Sequence, residues 1–102
     1  MVEFDYSLSL LRCWGDEDRA TQGTRRRALA RAIKSHGDVV ADLSGLAFAD
    51  SSLMLDLAAL ARRLRTRDSE LKLREPQPQI KALIELVGLH RLPGVAVEAA
   101  LA

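Results

Sequence analysis

The strongest constraint on the fold lies between Asp38 and Leu64, where the hydrophobic pattern changes period within a few residues. Asp38 to Asp42, centred on Val39, Val40 and Ala41, is a short apolar run, the pattern of a strand covered on both faces. The stretch that follows reads as a loop ending in Asp50-Ser51-Ser52. Leu53, Leu57, Leu60 and Leu64 then recur at i, i+4, i+7 and i+11, which places them on one side of a helix. Arg62, Arg63 and Arg65 fall near the end of that helix, where positive charge complements its dipole.

The flanking segments repeat this strand-and-helix alternation. Phe4 to Trp14 reads as one or two short strands, with Tyr6, Leu8 and Leu10 alternating against Asp5, Ser7 and Ser9. Gly15-Asp16-Glu17-Asp18 reads as a polar turn, and Thr21 to Ser35 as a helix with Ala28, Leu29, Ala32 and Ile33 on its apolar side. Gly37 is a stop signal. Leu71 and Leu73 alternate with Lys72 and Arg74 in a further strand. Pro76 and Pro78 precede a helix with Ile80, Leu83, Ile84 and Val87 on its buried face. After the Pro93-Gly94 turn, Val95 to Val97 reads as a last edge strand or a short extended tail. The predicted class is α/β, a sheet with parallel pairs and helices packed against it. A length of 102 residues predicts a single domain spanning 1–102, and 48% hydrophobic residues suffice for a core without metal or disulfides.

Composition argues against several function classes. Fifteen basic against 14 acidic side chains leave a net charge of +1, which gives no support for nucleic-acid or membrane-surface binding. The single Cys13 has no internal disulfide partner, and beside Trp14 it reads as a small buried hydrophobe. Glu3 and Asp5 interrupt any leader-like run, and no apolar stretch approaches the roughly 20 residues a membrane helix needs. A cytoplasmic protein is expected. His36 and His90 lack ligands at metal-site spacing, the serines have no triad partner, and no glycine-rich phosphate loop is present. No cofactor, no metal and no enzymatic activity are therefore expected. Arg25, Arg26 and Arg27 spread around a helix with Asp16, Glu17 and Asp18 nearby, the pattern of a solvated face.

Asp50, Ser51 and Ser52 admit two readings. All three are common helix-capping residues, so the cluster can simply begin a helix. The same position, with free N–H groups and the positive end of the dipole, is also a natural place to add or read a phosphate.

The run Val39-Val40-Ala41-Asp42-Leu43-Ser44-Gly45-Leu46-Ala47-Phe48-Ala49-Asp50-Ser51-Ser52 resembles the signature of the STAS domain, the fold of bacterial anti-sigma factor antagonists. Gly15-Asp16-Glu17-Asp18 is similar to that family's Gly-Glu-Leu-Asp turn, with polar Glu17 where the family has an apolar residue. Leu83 to Leu92 resembles its closing helix and Gly-Leu turn. The resemblance implies a mixed β-sheet with α-helices packed mainly on one face. It also implies a switch in bacterial stress response and transcription regulation. The unmodified domain sequesters an anti-sigma factor that is itself a serine kinase, phosphorylation at Ser51 ends the complex, and a serine phosphatase resets it. Asp18, Asp50, Ser51, Ser52 and Leu53 would form the partner surface. One departure stands out: the family continues with Gly-Leu-Gly, and here Leu53 and Leu55 replace both glycines. That favours an alternative, a non-phosphorylated STAS docking or scaffold module of a transporter accessory or stress-signalling complex.

Overall fold

The computed structural model describes residues 1–99. Two strands open the chain, β1 (Val2–Asp5) and β2 (Leu10–Glu17), followed by a short 3-10 turn (Arg19–Thr21) and helix α1 (Gln22–Ile33). Strand β3 (Val39–Ala49) leads into α2 (Ser51–Arg65), and β4 (Leu71–Arg74) into α3 (Pro78–Val87). A second 3-10 turn (Leu89–Arg91) precedes β5 (Val95–Glu98). The strands lie side by side in chain order, β1-β2-β3-β4-β5. The β1–β2 pair is antiparallel and every other pair is parallel, so the sheet is mixed, with its helices on one face.

Alternation explains the packing. Phe4, Leu11, Cys13, Val39, Ala41, Leu71 and Leu73 point toward the helices and are buried. There they meet Ala28 and Ala32 of α1, Leu53, Leu57, Leu60 and Leu64 of α2, and Ile80 and Ile84 of α3. Leu83 packs there half-buried, and the expectation of a buried Val87 is corrected: it is the last residue of α3 and is 45% exposed. Their neighbours in sequence occupy the opposite, open face. On it Glu3, Arg12, Asp42, Arg74 and Glu98 stand opposite one another across all five strands, with charge alternating at each step. No ion pair within 4.0 Å forms among these five. Val39 to Ala41 is therefore covered on one face only, since Val40 is half-buried between Leu10 and Lys72 of the adjoining strands.

Three further sequence expectations are corrected. The alternation across Asp5 to Ser9 falls on the turn of the β1–β2 hairpin, where Tyr6 and Leu8 are exposed. Gly15 to Glu17 continues β2 instead of turning. The stretch after Asp42 is also strand: β3 continues to Ala49, and its pairing with β2 shifts register between Arg12 and Trp14 and again between Gly15 and Asp16. Each shift inserts a residue into β3, so its buried positions fall at Leu43, Leu46 and Ala49, three apart. That spacing lacks the two-residue period of a strand. Gly45 belongs to this irregular stretch, and a Cβ there would lie 3.0 Å from the Trp14 Cβ.

Candidate functional site

The long, bulged β3 delivers Asp50 to the mouth of α2. Asp50 is extended and serves as N-cap: one carboxylate oxygen accepts the Ser52 N–H at 2.9 Å and the Ser52 hydroxyl at 2.5 Å. Its other oxygen accepts the Arg19 N–H at 3.1 Å, which ties the first 3-10 turn to the helix. These bonds, led by the Ser52 hydroxyl, hold the Asp50 carboxyl below its usual range, so it is ionised at neutral pH. Asp18 caps the 3-10 turn, accepting the Thr21 N–H at 3.2 Å.

The adjacent serines have opposite surroundings. Ser52 is buried, and its hydroxyl is held from both sides, donating to Asp50 and accepting from Arg25 Nη2 at 3.0 Å. Ser51, the first residue of α2, is exposed, and its hydroxyl makes no hydrogen bond among the described residues.

Arg25 organises the floor of this corner. Its side chain is fully buried, donating from Nε to Asp56 at 2.8 Å and from Nη1 to Glu17 at 3.3 Å and to the Asp18 carbonyl at 2.9 Å. The α-amino group of Met1 lies 2.9 Å from the other Glu17 oxygen. One guanidinium thus joins the end of β2, the 3-10 turn, α1 and the first turn of α2, with negative charge on two of its sides. The solvated-face reading holds for Arg26 and Arg27 but is corrected for Arg25. A sequence signal was available. Arg25, Ala28 and Ala32 stand at i, i+3 and i+7, so the apolar stripe of α1 continues back to Arg25. Glu17, polar where the resembled family has an apolar residue, supplies its counter-charge.

The predicted partner-surface residues therefore separate. Asp18, Asp50, Ser51 and Ser52 come together, with Ser51 outermost and Ser52 buried beneath it as a cap contact, so Ser52 is corrected as a surface residue. Leu53 does not belong to a surface: it is wholly buried, because it starts the core-facing stripe of Leu57, Leu60 and Leu64. Leu55, two residues on, is instead 69% exposed. It rims a groove of about 210 Å³ between α2 and the turn that ends α3, lined also by Ser51, Met54, Ala58, Arg62 and Leu89. The groove owes its far wall to Gly88, whose left-handed backbone (φ 79°) stops α3 and sends the chain back toward α2.

No group of three or more histidine, cysteine or acidic side chains that could hold a metal occurs among the described residues. No helix among them is long and apolar enough to cross a membrane.

A five-stranded mixed sheet with three helices and a hydroxyl-bearing corner after its longest strand is the STAS arrangement. The family model described as "Mlab, STAS domain" matches residues 2–96, and the chain belongs to that STAS family. Among solved structures, the unphosphorylated anti-sigma factor antagonist SpoIIAA is similar, with a TM-score of 0.68 at 19% identity, over 90% of this chain and 79% of that one. The phosphorylated form of SpoIIAA, described as a Bacillus cell fate determinant, gives a TM-score of 0.62 at 20% identity over 88% of this chain and 81% of its own. At this identity the likeness is one of fold. No curated protein sequence matches significantly.

Proposed function

We infer that this domain is a protein-binding switch of the anti-sigma factor antagonist type, which captures an anti-sigma factor serine kinase when unmodified and releases it when phosphorylated at Ser51. The observation that carries this reading is the contrast between the two serines. Ser51 offers an exposed hydroxyl with no competing hydrogen bond, while the hydroxyl of Ser52 is locked between Arg25 and Asp50. The solved SpoIIAA structures, one of them phosphorylated, share the fold and support the comparison.

A phosphate brings about −1.5 to −2 charges. On the first residue of α2 it meets the positive end of the helix dipole, so the fold tolerates it. It also stands beside the ionised Asp50, and the combined negative charge falls on the surface a partner must desolvate. Release then follows from repulsion at the interface, with the domain still folded. A serine phosphatase completes the cycle.

A second reading, a docking module that is never phosphorylated, is favoured by Leu55. The site's hydroxyl corner continues into an apolar groove rimmed by this exposed leucine, a surface suited to lasting contact. Phosphopeptide mass spectrometry on the protein from its own cells, with and without stress, separates the two. Condition-dependent phosphate on Ser51 is the expected result. An unmodified Ser51 in every condition transfers the conclusion to the docking module.

A further inference from the structure

The side of α2 that faces the groove has a definite order. Ser51, Leu55, Ala58 and Arg62 stand at i, i+4, i+7 and i+11 with Met54 between them, one straight stripe about 16 Å long at 1.5 Å rise per residue. Its middle is apolar and its two ends are polar. Val87, Leu89 and Leu92 form the opposite wall, and Val87 is 45% exposed. Among the described residues Arg62 is the only charged one lining this groove, and it makes no ion pair with any of them. Arg63 and Arg65, also without ion pairs among the described residues, strengthen the positive potential at that end.

We propose that this groove seats an amphipathic helix of the partner, with apolar side chains over Leu55 and Ala58 and a carboxylate on Arg62. Charge complementarity fixes both the partner's chemistry and its direction. The acidic end of the incoming helix lies over Arg62, and its other end lies over Ser51, where a carboxylate would meet Asp50. The groove's length matches about three turns of helix, enough for leucines at i, i+3, i+4 and i+7. This rests on the reading of the Ser51 corner as a partner surface, and it adds what the partner brings and which way it lies.

The test uses the whole chain, labelled with ¹⁵N, and a helix-forming peptide of about four turns with that leucine stripe and glutamates at one end. Amide shifts confined to Ser51, Leu55, Ala58, Arg62, Val87 and Leu89 are expected. Arg62→Glu weakens binding at least about tenfold, and a peptide with lysines in place of the glutamates restores it to Arg62→Glu while binding the parent chain poorly. Equal binding of both peptides by the parent chain overturns the proposal, as does an absence of shifts in the groove. Shifts at the same amides on concentrating the chain alone assign the groove to a second copy and also overturn it. Because the probe contains neither kinase nor phosphate, its failure leaves phosphorylation of Ser51 standing, and an unphosphorylated Ser51 leaves the groove result standing.

Discussion

Two sets of charges in this molecule resemble each other on paper and differ in physical weight. Beneath the mouth of α2, Arg25 is sealed among Glu17, Asp56 and Ser52. Across the open face of the sheet, Glu3, Arg12, Asp42, Arg74 and Glu98 alternate in sign, all exposed to water except the half-buried Asp42. In the first set Arg25, Glu17 and Ser52 have lost their hydration while Asp56 keeps part of its own, and each group depends on a particular neighbour at a particular distance. In the second, water screens every member, and the alternation mainly avoids placing like charges side by side. Burial, more than the number of charges, decides which set positions the functional corner.

Removing Arg25 should give the largest effect. Arg25→Ala leaves buried Glu17 without its guanidinium and is expected to cost about 3–5 kcal/mol in denaturant unfolding; a loss as small as that of an open-face charge would break the contrast. Ser52→Ala removes one acceptor and strands a buried Arg25 donor, for about 1–3 kcal/mol in the same measurement. Asp50→Ala, which loses the cap of α2, should lower Tm by about 5 °C. Arg74→Ala, between Asp42 and Glu98 in the open-face row, should move Tm by less than about 3 °C.

A pH titration sharpens the comparison between the two faces. Cys13, on the covered side of β2, has its thiol pushed up from 9.0 to about 12, chiefly by burial. The folded chain keeps this proton while the unfolded chain loses it near pH 9, so the thiol's contribution is full below that pH and is lost as pH rises toward 12. Unfolding curves should show stability falling across that interval in the parent and less steeply in Cys13→Ala. At neutral pH a thiol reagent should label Cys13 only as fast as the domain opens.

Much of this was legible in the sequence where period and environment agree. The stripe Leu53, Leu57, Leu60 and Leu64 predicts α2 and its buried face, and Leu71 with Leu73 predicts β4. Legibility failed where a local irregularity changed the period. The bulges of β3 disguise a strand as a loop, and the hairpin turn at Tyr6 to Ser9 imitates alternation. At the site, the motif identified Asp50, Ser51 and Ser52. The contrast between the two serines needed Arg25, which approaches from another helix, a contact that sequence spacing does not encode. Leu53 and Leu55 were indistinguishable as replacements for the family's glycines until helix phase sent one inward and the other out.

Strand order equals chain order in this sheet, and that has a consequence for how the domain is made. Each new strand needs only the edge left by the one before it, so no segment waits for a distant partner. A chain emerging from the ribosome at about 5–20 residues per second can add β3 to β2, and β4 to β3, as each becomes available. Synthesis in that order leaves a single growing edge open at any moment, and it closes the Arg25 cluster as soon as the first two turns of α2, which carry Ser52 and Asp56, are out.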